Sequence, residues 1–290
     1  MAIRTDLALE LLEQHASAED VIQKETLLEG FPLRQVTIQN EPNALGKPPG
    51  RYDTLSIDGL LRREADAFPR ACHAVAQALS QLAPDMKDTH STALVIGLGN
   101  RAVTPDAIGP LCCQNVLATR HLIERSPAQF RAFRPVAVLA PGVLGMTGVE
   151  TGEIVLGVIQ RIRPGLVIAV DALAARRLSR LMRTIQLTDT GIVPGSGVGN
   201  ARAALTKKEL GVPVLAVGVP TVVDGATLAH DIAEQSGASC EALEDLRTPV
   251  LVTTRDVDQQ VADAARVIGY GINLFLHPTL DIADIDLFLS

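Results

Sequence analysis

The hydrophobic pattern changes character near residue 90. Before it, residues 21–39 and 51–58 carry short apolar stretches that predict strands, separated by a Gly/Pro-rich loop from Asn43 to Arg51. Residues 64–82 then follow a 3.6-residue period, with Phe68, Cys72, Val75, Ala76 and Leu79 on one face, and predict a helix. Residues 84–92 are polar and predict a connector.

From Ala93 onward, short apolar runs alternate with longer helical segments. Strands are predicted at 93–97, 136–140, 166–171 and 213–219, and helices at 105–124, 151–162 and 255–276. The runs 136–140 and 166–170 hold no polar residue, the pattern of strands buried on both faces in a parallel sheet. The last helix has an apolar stripe of Val257, Val261, Ala265, Ile268 and Ile272, and Thr253 with Asp256 predicts a capping box. Strand–helix alternation implies right-handed crossovers. The expected fold is therefore a doubly wound, mostly parallel α/β sheet with helices on both faces. Residues 1–90 are read as an N-terminal segment packed on a core of 91–290.

Composition narrows the function. A net charge of −7 argues against a general nucleic-acid binder. No apolar run reaches the roughly 18 residues needed to span a bilayer, and residues 1–10 show no secretory signal. Cys72, Cys112, Cys113 and Cys240 fit neither a zinc spacing nor a disulfide framework, so they read as buried free thiols. The six histidines form no metal-binding pattern, and no cofactor is expected.

In open α/β sheets, ligands bind beyond the carboxyl ends of the strands. Two carboxylates fall there. Asp106 follows the first core strand, after Gly97-Leu-Gly-Asn100, in the first turn of the predicted helix, with Thr104 as N-cap and Pro105 as its first residue. Asp171 ends the third core strand. If close, the pair would share a proton and supply both an acid and a base. An Asp in a first helical turn, or one capping a loop, also occurs for structural reasons alone. The loop Pro194 to Asn200, with Gly195, Ser196, Gly197 and Gly199, allows close backbone approach to a substrate or is simply a tight turn. Gly97, Gly99 and Asn100 form a second such loop, but it lacks a complete dinucleotide fingerprint. Ser196 is not in a G-x-S-x-G nucleophile elbow.

The blocks Ile3–Glu10, Leu45–Tyr52, Val95–Asn100, Val103–Pro110, Pro141–Glu150, Val170–Arg176, Asp189–Asn200 and Val217–Asp224 resemble the germination (spore) protease family. The resemblance implies a fold shared with hydrogenase maturation proteases and an endopeptidase acting on small acid-soluble spore proteins inside the spore. It implies a preference for an acidic residue before the cut and a hydrophobic one after it, and a homo-oligomer, a tetramer in the family. It also implies no serine or cysteine nucleophile, with Asp106 and Asp171 matching the family's proposed catalytic pair. The related maturation enzymes bind nickel with an added histidine, for which this chain has no clear match. A metal-assisted peptidase and a non-catalytic shortened homologue are the competing readings. Two departures stand out. Only three residues precede Arg4, where the family has a prosegment, so activity without removal of a long prosegment is expected. The stretch between about residues 232 and 250 is shorter than in the family, which bears on assembly. Asp6-Leu7 offers a partial processing motif, although Asp6 is read first as a partner of Arg4 or a cap for a helix starting near Leu7.

Overall fold

The structure, a computed structural model, describes residues 4–14, 21–83, 90–237 and 250–290. Residues 1–3, most of the polar connector, Cys240 and most of the shortened stretch lie outside the described residues.

The apolar stretches of the first part form an antiparallel arm. β1 (Val21–Leu28) and β2 (Phe31–Ile38) make a hairpin, and its two turn residues, Glu29 and Gly30, both have positive φ, at 49° and 81°. Such a turn matches the right-handed twist of the strands it joins. β3 (Gly50–Ser56) pairs with β2.

The core supplies β4 (Ala93–Gly97), β5 (Val136–Leu139), β6 (Leu166–Ala175), β7 (Thr184–Thr188), β8 (Val214–Asp224) and the two-residue β9 (Leu251–Val252). Among the described residues all nine strands join one sheet in the order β1-β2-β3-β7-β8-β6-β4-β5, with β9 beside β8. The pairs β5–β4, β4–β6 and β6–β8 are parallel, as their unbroken apolar runs predict. The arm continues this parallel core through antiparallel β7, which pairs β8 on one side and β3 on the other.

Alternate residues of the core strands pack on opposite faces. Val95, Ile168 and Val217 meet the helices Ala67–Leu82 and Val257–Leu276. Leu94, Ile96, Val167 and Ala169 meet Val155 of the helix Thr151–Ile162. Each such Val, Leu or Ile side chain contributes roughly 1.5–3 kcal/mol on full burial.

Three local expectations are corrected. The helix predicted over 105–124 is a 3₁₀ turn at Thr104–Asp106, a helix at Ile108–Cys113 and another at Arg120–Arg125. Tertiary bonds claim the gap: Leu117 N–H donates to Asn273, and the Thr119 hydroxyl accepts from Val136 N–H. The Thr253/Asp256 capping box does not form, because the Thr253 hydroxyl donates to Thr221 O instead. A reciprocal box forms at Glu150 and Glu153, opening the helix Thr151–Ile162. Lastly, β7 carries no expectation from the sequence, and β6 and β8 run longer than predicted.

One buried ion pair fastens the arm. Asp53 on β3 is fully buried, and the Arg51 guanidinium meets both its oxygens, at 2.7 and 2.6 Å. Arg51 also reaches Gln81 Oε1, at the end of the helix Ala67–Leu82.

Candidate active site

The crevice arises because neighbouring parallel strands stop at different heights. β4 pairs with β6 as far as Gly97 opposite Val170 and then leaves the sheet, whereas β6 continues to Ala175. Asp171 is the first β6 residue past that point. It is therefore inside its strand, a correction to its expected place at the strand end. It still lies at the carboxyl edge defined by β4.

The departing chain is tied to the same spot. Leu98 N–H donates to Val170 O at 2.8 Å, and the 3₁₀ turn brings Asp106 back so that its Oδ2 accepts from Asn100 N–H at 2.7 Å. Gly99 has φ of +106°, and a Cβ there would lie 2.1 Å from Asp106 O, so a larger residue would open the loop. Both aspartates, with Gly99, Asn100, Gly195 and Asn200, line one cavity of about 510 Å³. Other expected loop residues support it from behind. Gly97 packs on Gly109 and Cys113, Gly199 on Arg4, and Gly197 on the Asp6 carboxylate.

Electrostatics differentiate the pair. Burial pushes Asp171 well above the usual carboxylate range; Asp106 and then Asp6 raise it further, against one hydrogen bond from Ala172 N–H. Asp106 is also raised by burial, but less enclosed, and the Asn100 N–H partly offsets the shift. A carboxylate raised by burial and by a neighbouring carboxylate, as Asp171 is by Asp106, holds a proton more readily than it would alone.

Asp6 is the residue whose place the sequence reading misses. It neither pairs with Arg4 nor caps a helix. Its backbone N–H donates to Ala174 O, its Oδ2 accepts from Ala174 N–H at 2.9 Å and its Oδ1 from the Ser196 hydroxyl at 2.6 Å. Arg4 turns instead toward Asp224 and Val198 O. Leu7 is wholly buried, so the Asp6–Leu7 bond is enclosed. Ser196 is thus committed to Asp6 and borders a neighbouring hollow rather than the main cavity. Thr221, Leu251 and Thr253 also line the cavity; the sequence reading gives Thr253 only a capping role and gives the other two none. The register shift between β6 and β8 at Leu173/Ala174, beside Thr221, is a bulge invisible to apolar periodicity.

Other chemistries find less support. Cys72 and Cys112 are buried free thiols, and burial pushes the Cys113 thiol up to about 12, away from a reactive thiolate. Among the described residues, no group of three or more His, Cys, Asp or Glu side chains could hold a metal ion. No helix among them is long and apolar enough to cross a membrane.

Comparison with known proteins bears on the family of the chain. The family model described as germination protease matches residues 3–236. A germination protease of Caldanaerobacter subterraneus subsp. tengcongensis is 44% identical, over 97% of this chain and 96% of that protein. One from Clostridium perfringens is 39% identical over 99% of each. Among solved structures, a [NiFe] hydrogenase maturation protease, HycI, from Thermococcus kodakarensis KOD1 aligns with a TM-score of 0.37 and 16% identity, over 67% of this chain and 98% of that one. That structural overlap is too low to weigh on the fold, whereas the sequence matches run almost end to end, and by them the chain belongs to the germination protease family of peptidases.

Proposed function

We propose that the chain is an endopeptidase that starts the breakdown of small acid-soluble spore proteins during germination, using Asp106 and Asp171 as a proton-sharing pair. The observation that carries this reading is two carboxylates with raised pKa values in one crevice at the carboxyl edge of the parallel strands.

Asp171 is the better proton holder, because its surroundings are the more hostile to charge. Asp106 serves as the base. Asp106 takes a proton from water as the water oxygen bonds to the peptide carbonyl carbon, and Asp171 gives its proton to the carbonyl oxygen. The resulting gem-diol collapses: the proton on Asp106 passes to the leaving nitrogen as the C–N bond breaks, and a hydroxyl proton returns to Asp171. Acid–base assistance of this kind is worth roughly 10²–10⁴-fold. Val103, half exposed at the cavity wall, and Leu251 offer apolar surface to the residues flanking the cut.

Action inside the spore as a homo-oligomer, a tetramer by family resemblance, without direct contact to nucleic acid or membrane, completes the proposal. Residues 91–290 form its peptidase core and residues 1–90 its arm. The purified chain incubated with a small acid-soluble spore protein should give a few discrete fragments by mass spectrometry. An unchanged substrate under every condition tried defeats the reading. Activity is expected to survive exhaustive chelation; loss in EDTA with recovery on adding nickel or zinc would favour the metal-assisted alternative.

A further inference from the structure

A strand with a neighbour on each side sends its main-chain bonds alternately to one and the other. In β6 the odd-numbered residues face β8: Val167 N–H donates to Pro213 O, just before β8. The even-numbered residues face β4: Val170 O accepts from Leu98 N–H. β4 pairs no further than Gly97 opposite Val170, so from Ala172 onward this side of β6 is an edge.

The segment from Arg4 to Glu10 closes most of that edge. Ala174 N–H donates to the Asp6 carboxylate at 2.9 Å, and Ala174 O accepts from Asp6 N–H at 2.9 Å. Two residues on, Arg176 N–H donates at 2.7 Å to the carboxylate of Glu10, itself buried. Ala172 N–H donates to the carboxylate of Asp171 at 2.9 Å.

That leaves Ala172 C=O. It points to the side that β4 has vacated, and among the described residues no loop N–H or side chain donates to it. Ala172 is partly exposed and lines the catalytic cavity beside Asp171. Enclosed main-chain carbonyls are nearly always paired, and an open strand edge is a template for another extended chain. Asp6 demonstrates this on the next rung, where its own N–H takes Ala174 O.

We propose that Ala172 C=O is the main-chain anchor for the substrate, an inference that rests on the peptidase reading above. A substrate N–H near the cut donates to it, and the peptide lies extended along β6 between Leu98 and Asp6. Ala172 is covalently next to Asp171, so a chain anchored there is held beside the carboxylate that gives up its proton. Such pairing binds through the main chain, whatever the side chain at that position. Asp6 and Glu10 fill the rungs beyond, so the added chain makes a single main-chain bond on this edge instead of a long ladder.

The test is a synthetic small acid-soluble spore protein in which the amides flanking a mapped cut are replaced one at a time by esters, the cut bond excepted. An ester has no N–H to donate and adds no bulk. One position is expected to raise KM roughly tenfold, because it leaves the Ala172 carbonyl unpaired. Its kcat should stay nearly the same, since the bond is made alike before and during the reaction. The adjacent positions should be unaffected, because their N–H groups point the other way in an extended chain. N-methylation at the sensitive position should block cleavage, because the methyl group meets the β6 edge. A scan with no sensitive position, or one in which adjacent positions respond equally, overturns the proposal and leaves the peptidase reading intact. An all-amide substrate that stays uncut overturns the peptidase reading, and the proposal falls with it.

Discussion

Replacing Asp171 by Asn is expected to lower kcat about a thousandfold while raising the melting temperature at neutral pH. The first effect follows from the proposed proton transfer, because an amide of the same size can neither hold nor return the proton. The second follows from linkage. Burial raises the Asp171 pKa in the folded state, so the folded chain holds this proton more tightly than the unfolded chain does. The stability this provides is full below the unfolded carboxyl value, about 3.9. It is lost as pH rises through the folded value. An asparagine at this position never ionises and avoids that loss. The gap in melting temperature between variant and parent should therefore widen as pH rises from about 4 and close below it. Near-normal turnover in a folded Asp171→Asn protein removes the residue from the mechanism. A variant that melts lower than the parent at neutral pH contradicts the electrostatic account of the crevice.

Arg51→Ala should cost about 3–5 kcal/mol of stability, because it strands a fully buried carboxylate. Even with the guanidinium in place, burial still pushes the Asp53 carboxyl up. Most of the pair's gross attraction thus offsets desolvation. Adding Asp53→Asn to Arg51→Ala should recover part of the loss, since the remaining group is then neutral. Urea unfolding of the two single variants and the double variant measures this coupling. A loss under about 1 kcal/mol for Arg51→Ala would mean that water reaches Asp53.

Much of the molecule is legible in the sequence, for identifiable reasons. The parallel strands are readable because burial on both faces leaves no polar position in runs such as 166–170. The helix Thr151–Ile162 matches its predicted bounds to the residue, its start set by Glu150 and Glu153. Asp171 stands out because it interrupts such a run. β7 escapes the apolar-run reading, although Thr184-Ile-Gln-Leu-Thr188 alternates polar and apolar as a half-buried strand does. The break inside the predicted 105–124 helix depends on Asn273, more than 150 residues away, and no local pattern carries that information. Asp6 reads from the sequence only against its near neighbours, whereas its partners lie at Ala174 and Ser196. The crevice itself depends on β4 stopping where β6 does not, a difference in strand length that apolar runs mark only to within a few residues.

The place of β3 in the sheet has a consequence for biosynthesis. Its free edge, from Tyr52 to Ser56, is completed only by Thr184–Thr188. A ribosome moving at roughly 5–20 residues per second needs on the order of ten seconds to deliver that partner. Through that interval the nascent hairpin and β3 expose the edge that β7 will cover, and only the helix Ala67–Leu82, made soon after them, is at hand to cover the apolar side of the arm. Pairing across so long a stretch of chain is slow even after release. The arm, although made first, is completed late, and the newly made chain depends most on protection from aggregation before residue 188 emerges.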